Sequence, residues 1–221
     1  MNFLQKLFTK EKAPPPTNSN SDEQIMALPP ALPVSLLPGF HRAQKTDIGR
    51  QREQNQDSLY TVEAYIEAND GLEPFGIFIV ADGMGGYKKG EIASELAVRA
   101  SAGYILKNIY LPYLSKDQHG AAQIPINEVL TSAVIEANHT VLDHVPEAGT
   151  TLTIVVVMGR HAYLAHVGDS RAYLYHNGQL RQITQDHSLV ARLVELGQAT
   201  AEEAQTHPQR NVLYRAIGQT S

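Results

Sequence analysis

The sequence predicts an α+β domain with helices packed on antiparallel sheet. Three observations carry this. The apolar run "FGIFIVA" at 75–81 is bounded by Gly and Asp. Two spans, 88–110 and 126–143, repeat apolar residues at helical intervals. From 150 to 184 the period drops to two, and tight-turn residues punctuate it. Strands, then two long helices, then a meander make the α+β pattern.

The elements follow in order. Residues 1–39 read as a Pro-rich flexible tail or linker. Pro14, Pro15, Pro16, Pro29, Pro30, Pro33 and Pro38 lie there, around "TNSNSDEQ". Its start, "MNFLQKLFTKEK", places Phe3, Leu4, Leu7 and Phe8 at helical spacing. That is too short for a signal-peptide core, and no small-residue cleavage site follows. It reads as a frayed end, with a short amphipathic helix against a membrane surface or partner as the alternative.

The domain proper spans 40–221. "SLYTVEAYIEA" (58–68) has strand character. The run at 75–81 is expected to be a strand buried on both faces. In the first helix, Ile92, Leu96, Ala100 and Tyr104 share a face, with Ala93 and Ala97 beside them, and Pro112 is expected to end it. In the second, Ile126, Leu130, Val134, Ala137 and Val141 share a face. "TTLTIVVVM", "RHAYLAHV", "SRAYLYH" and "QLRQIT" then read as three or four antiparallel strands, with Asn177-Gly178 as a hairpin turn. Asp186 or Ser188 caps a helix that stops at Gly197, and Thr200 with Glu203 forms a capping box for a shorter one.

Composition narrows the function. The 221 residues are 43% hydrophobic and 19% charged, which suits a soluble domain with a real core. A net charge of -5 and the lack of a basic stripe argue against nucleic acid. No cysteine is present, so disulfides, thiolate zinc sites and a cysteine nucleophile are excluded. Any metal must be held by oxygen or imidazole. No apolar run reaches the ~18 residues of a membrane span. A cytoplasmic monomer is the expectation.

Three acid clusters carry the chemistry. Asp82 stands where the apolar strand ends, with Gly83, Gly85 and Gly86 after it. A carboxylate there is expected to be partly removed from water and to need a cation or donors. Gly83 would let a ligand approach the backbone. Alone, Asp-Gly after a strand is most often a tight turn. A Walker loop fails because Glu91 and Ile92 follow Gly90, and a dinucleotide fingerprint fails because Lys88 holds its last Gly position. "GDSR" (168–171) carries Asp169 at a strand connection, and taken alone a hairpin turn with Asp169 bonding locally explains it better. No histidine has a sequence context that makes Ser170 a triad member. "TDIGRQREQNQDSLY" (46–60) crowds Asp47, Arg50, Arg52, Asn55 and Asp57 just before a strand. It is either a solvated loop or an anion-binding arginine beside a metal-ligating oxygen.

Together these motifs resemble the metal-dependent protein phosphatases, the protein phosphatase 2C family, in bacterial form. The order is T-D-x-G-x-x-R-x-x-N-x-D, DGMGG, GTT, GDSR and QDHS, and the likeness runs from about Gln44 to Gly218. The resemblance implies a four-layer α-β-β-α sandwich of two antiparallel sheets flanked by helices. It implies Mn²⁺ or Mg²⁺, two ions and a third in bacterial members. Asp82 would bridge two ions, and Gly83 would offer one its carbonyl. Asp57 would orient metal-bound water, Arg52 would grip the substrate phosphate, and Asp169 would help hold the third ion. Gly149-Thr150-Thr151 would be a structural approach to the central strand.

The implied reaction is hydrolysis of phosphoserine or phosphothreonine by a metal-bridging hydroxide, with no covalent intermediate. The implied substrates are phosphoproteins of a bacterial Ser/Thr kinase. Three departures stand out. Gln56 occupies the family's usual Glu position, and Met84 that of a histidine in eukaryotic members. Two further acids, in D-G and D-N motifs, would follow Ser221. The expectation is therefore a fragment of a longer reading frame lacking its C-terminal strands. The alternative is a truncated, catalytically silent domain that binds a phosphoprotein or partner.

Overall fold

A computed structural model describes residues 41–50, 54–68, 71–85, 89–115 and 124–220. The expected tail at 1–39 lies outside them. β1 (Asp57–Ala68) and β2 (Gly71–Met84) form an antiparallel hairpin whose pairing is unbroken from Ala68 opposite Gly71 to Asp57 opposite Asp82. α1 (Lys89–Ile105) follows and continues through a π-helical turn, Leu106–Tyr110, into α2 (Leu111–Ser115). α3 spans Ile126–His144. β3 (Gly149–Thr150), β4 (Leu152–Met158) and β5 (His161–Val167) complete a five-stranded sheet of order β1-β2-β4-β5, with β3 on β2. β6 (Tyr173–His176) and β7 (Gln179–Gln182) pair as a second, two-stranded sheet. α4 (Leu189–Glu195) and α5 (Ala201–Thr206) come last. The architecture is α+β, with two antiparallel sheets and helices.

The local signals explain most boundaries. Asn177 (φ 50°) and Gly178 (φ 77°) turn β6 into β7 with both residues left-handed, as a tight hairpin requires. The Ser188 hydroxyl caps α4 by accepting the Ala191 N–H at 3.3 Å. Thr200 and Glu203 form the expected capping box.

Four expectations need correction. β2 is buried on one face only. Phe75, Ile77, Ile79 and Ala81 are fully buried, while Val80 between them is 49% exposed. Side chains alternate along a strand, and among the described residues helices cover only the Ile77 face. Second, Ile92 is not on the buried side of α1. That side is Ala93, Ala97, Val98, Ala102 and Ile105, and Ile92 is 44% exposed. Small residues let α1 lie close to β2 and to the Ala133 and Ala137 face of α3.

Third, Pro112 does not end the helical run. The π turn re-registers the backbone, the Leu111 N–H reaching back to the Leu106 carbonyl. Pro112 then falls in the first turn of α2, where a missing N–H is tolerated. Fourth, the strands over 150–184 do not form one meander. The chain leaves the main sheet after Val167, and β6–β7 is separate.

The core is built from β2, β4, α1 and α3. Phe75 stacks on Tyr113 with ring centroids 5.7 Å apart and meets Tyr110 at 4.7 Å. Burying a side chain of the size of Phe75, Ile77 or Ile154 stabilises by about 1.5–3 kcal/mol each. The buried hydroxyls in α1 are satisfied. Ser101 donates to the Ala97 carbonyl at 2.7 Å, and Ser94 meets the Ser58 hydroxyl at 2.9 Å.

Candidate metal and phosphate site

The end of β2 and the start of β1 place Asp82 and Asp57 directly opposite one another. In an antiparallel pair such residues have Cβ atoms about 4.5–5.5 Å apart on one face, and like charges there repel. Both acids line a cleft of about 460 Å³, together with Asp47, Arg50, Gln54 and Asn55. Asp82 is exposed rather than withdrawn from water as expected. It stands on the sheet face that the helices leave open.

Hydrogen bonds fix the backbone around this pair. The Asp82 N–H donates to the Thr151 hydroxyl at 2.8 Å, and the Thr151 N–H donates to the Asp82 carbonyl at 2.9 Å. Asn55 links the two ends of the preceding loop. Its side-chain carbonyl accepts the Asp57 N–H at 3.0 Å, and its amide donates to the Thr46 hydroxyl. Asp47 closes an Asx turn by accepting the Gly49 N–H at 2.8 Å.

Gly83 is held tightly by its neighbours. Its N–H donates to the Gln56 carbonyl at 3.0 Å, and the residue is buried. A Cβ there would lie 2.0 Å from the Gly90 carbonyl oxygen and 2.7 Å from that of Gln56. The missing side chain admits the start of α1. The Gln56 side-chain amide donates to the Gly85 carbonyl at 3.5 Å, a bond no carboxylate could make.

Asp169 sits elsewhere. It is exposed and lines a second cleft, of about 950 Å³, with Arg171, Asp186, Ser188 and Arg210. One chain of contacts joins the two regions. Ser170 meets the Thr151 hydroxyl at 2.7 Å, so its partner is a threonine and not a histidine. Arg171, next in the chain, grips Asp186 in a fork. Nε lies 3.0 and 2.9 Å from the two carboxylate oxygens, and Nη2 lies 2.6 Å from Oδ2. That bond holds the Arg171 pKa above its ordinary value.

Beneath the turn, His166 and His187 stack at 5.2 Å. Burial lowers both their pKa values, and at His187 the neighbouring His166 and Arg215 lower it further. His187 Nδ1 accepts the Gly168 N–H at 3.1 Å, and His166 Nε2 lies 3.0 Å from the Gly168 carbonyl. This pair was not legible in the sequence, where the histidines read as scattered surface or strand residues. Arg52 lies outside the described residues. Among the described residues, no three His, Asp or Glu side chains converge as a metal cluster.

A family model described as protein phosphatase 2C matches residues 49–217. The chain belongs to that family. It is 37% identical over 179 residues to the serine/threonine phosphatase stp of Listeria innocua, a match that covers 81% of this chain and 67% of that protein. It is 35% identical over 178 residues to the serine/threonine protein phosphatase PstP of Mycobacterium tuberculosis, covering 79% of this chain and 30% of that one. The crystal structure of the M. tuberculosis serine/threonine phosphatase PstP/Ppp superposes with a TM-score of 0.60 at 34% identity, covering 80% of this chain and 68% of that one. A structure of the PstP catalytic domain in complex with two manganese ions gives 0.57 at 32% identity, covering 80% and 66%. The phosphatase-family chain thus spans about two thirds of the Listeria relative's length.

Proposed function

We propose that the protein is a metal-dependent serine/threonine protein phosphatase acting on phosphoserine and phosphothreonine. The observation that carries this is the register that sets Asp57 opposite Asp82 at the mouth of a cleft. Two opposed carboxylates are stabilised by a cation between or beside them. The donors there are all oxygens, which fits a hard divalent ion such as Mn²⁺ or Mg²⁺.

Asp82 and the Gly83 carbonyl would hold two ions, and Asp169 a third. When bound, such ions supply charge neutralisation and a water whose pKa falls toward ~7. The remaining work belongs to the chain. Asp57 accepts a hydrogen bond from the attacking water and orients it. Arg52 would bind two phosphate oxygens through its planar fork, and Arg50, which lines the Asp57–Asp82 cleft, adds positive charge there. The names of the relatives support phosphoproteins as substrates. We extend this to products of a bacterial Ser/Thr kinase, met by a cytoplasmic monomer. Among the described residues no helix is long and apolar enough to cross a membrane.

The test is p-nitrophenyl phosphate hydrolysis with and without Mn²⁺. Metal-dependent turnover that Asp82→Ala abolishes is the expected result. Silence in every divalent metal, with phosphopeptide binding retained, would replace the enzyme by a phosphoprotein-binding module.

A further inference from the structure

We propose that Thr151 is a positioning residue, whose hydroxyl holds the Asp82 backbone and the Asp169 turn in one arrangement. The inference rests on the metal-dependent reading of the Asp57–Asp82 site. Thr151 falls in the gap between β3 and β4, yet the register runs on across that gap. Val80 pairs with Thr153 and Gly83 with Thr150, so Thr151 stands opposite Asp82. A regular ladder would offer Asp82 a backbone carbonyl. Here the Thr151 carbonyl instead accepts from the Thr150 hydroxyl at 3.0 Å, and its own side chain receives the Asp82 N–H at 2.8 Å. Both backbone polar groups of Asp82 are thus bonded to one residue.

The hydroxyl has a second duty. Thr151 is 1% exposed, so its proton needs a protein acceptor. One lone pair takes the Asp82 N–H, and Ser170 Oγ lies 2.7 Å away, a contact in which either hydroxyl can donate. Ser170 follows Asp169 in the chain. The methyl group of Thr151 is separately engaged. A Cβ on Gly168 would lie 2.6 Å from both Thr151 Cβ and Cγ2, so the GDSR turn rests on this side chain. One buried threonine therefore bonds the backbone of Asp82 on one side and, on the other, meets Ser170 by hydrogen bond and Gly168 by packing, the two residues that flank Asp169.

Two substitutions separate these roles. Thr151→Val keeps the methyl packing and removes the hydroxyl. Thr151→Ser keeps the hydroxyl and removes the methyl. Calorimetric Mn²⁺ titration of the 221-residue chain, without substrate, reads the site directly. Thr151→Val should weaken Mn²⁺ binding about 10–100-fold, the range for outer partners of metal ligands. Thr151→Ser should recover most of that affinity, and kcat for p-nitrophenyl phosphate should follow the same order.

A folded Thr151→Val protein that binds Mn²⁺ like the wild type overturns the inference and leaves the metal site standing. So does a Thr151→Ser protein as weak as Thr151→Val. If Thr151→Val does not fold, Ser170→Ala decides. A several-fold loss of affinity supports the hydroxyl link, and unchanged affinity overturns it. If the wild type itself takes up no Mn²⁺, the metal reading falls first and the inference with it.

Discussion

Replacing Gly83 by alanine should unfold this protein at markedly lower temperature, whether or not it is an enzyme. The added Cβ would sit 2.0 Å from the Gly90 carbonyl oxygen, 2.5 Å from the Gly90 carbonyl carbon and 2.7 Å from the Gln56 carbonyl oxygen. All three are backbone atoms, so no side chain can swing away. Non-bonded carbon contacts settle near ~3.5 Å, so the start of α1 must retreat by roughly 1 Å or more. That retreat loosens Ala93 and Ala97, both fully buried. Overpacking costs about 1–3 kcal/mol, and rigid backbone on two sides places this case near ~3 kcal/mol. At about 2–4 °C per kcal/mol for a domain of this size, Tm should fall by roughly 6–12 °C.

Gly103, late in α1, supplies the control, because a Cβ there meets nothing within 4 Å. Gly103→Ala should raise stability by about 0.5–1 kcal/mol, the ordinary gain in a helix. Circular dichroism melts of both variants give the comparison. A Gly83→Ala melt within about 2 °C of the wild type would refute the packing argument for residue 83.

Three further outcomes are expected. Asp57→Asn removes one of two opposed like charges, so the metal-free protein should gain a few tenths of a kcal/mol while Mn²⁺ affinity falls; urea melts and Mn²⁺ titration would show neither change if the pairing is wrong. His166 and His187 have lowered folded pKa values, chiefly through burial, so the unfolded chain binds protons more readily. Stability should be full above about pH 6.5 and decline below it, and His187→Gln should flatten that decline; an unaltered slope would exclude His187 as its source. Arg171→Lys keeps the charge but loses the fork on Asp186, and should cost about 0.5–1 kcal/mol given the half-exposed arginine; an identical melting curve would show that the fork contributes nothing.

Much of this was legible in advance, and the exceptions share a cause. Capping at Ser188 and Thr200, the Asn177-Gly178 turn and the span of α3 are local properties, set by residues a few positions apart. The buried face of α1 is not local. Summing apolar size selects Ile92, which is 44% exposed, whereas close approach of helix to sheet centres the face on Ala93, Ala97 and Ser101, with Leu96 packed at its edge. The role of Gly83 depends on where Gly90 comes to rest, and the His166–His187 stack joins residues from two separate elements. Asp57 and Asp82 were singled out separately as acids. Their opposition needed the register, which is fixed along the whole hairpin.

That hairpin works as a ruler. Its pairing runs unbroken over twelve positions, about 37 Å from the Ala68–Gly71 end to the Asp57–Asp82 end. The two carboxylates face each other because both strands are counted off from the far bend. One residue inserted or deleted in either strand would slide Asp57 out of line and turn its neighbours to the opposite face. Substitutions along these strands can accumulate, but their length cannot drift, and a lesion far from the acids would disable them without touching either one.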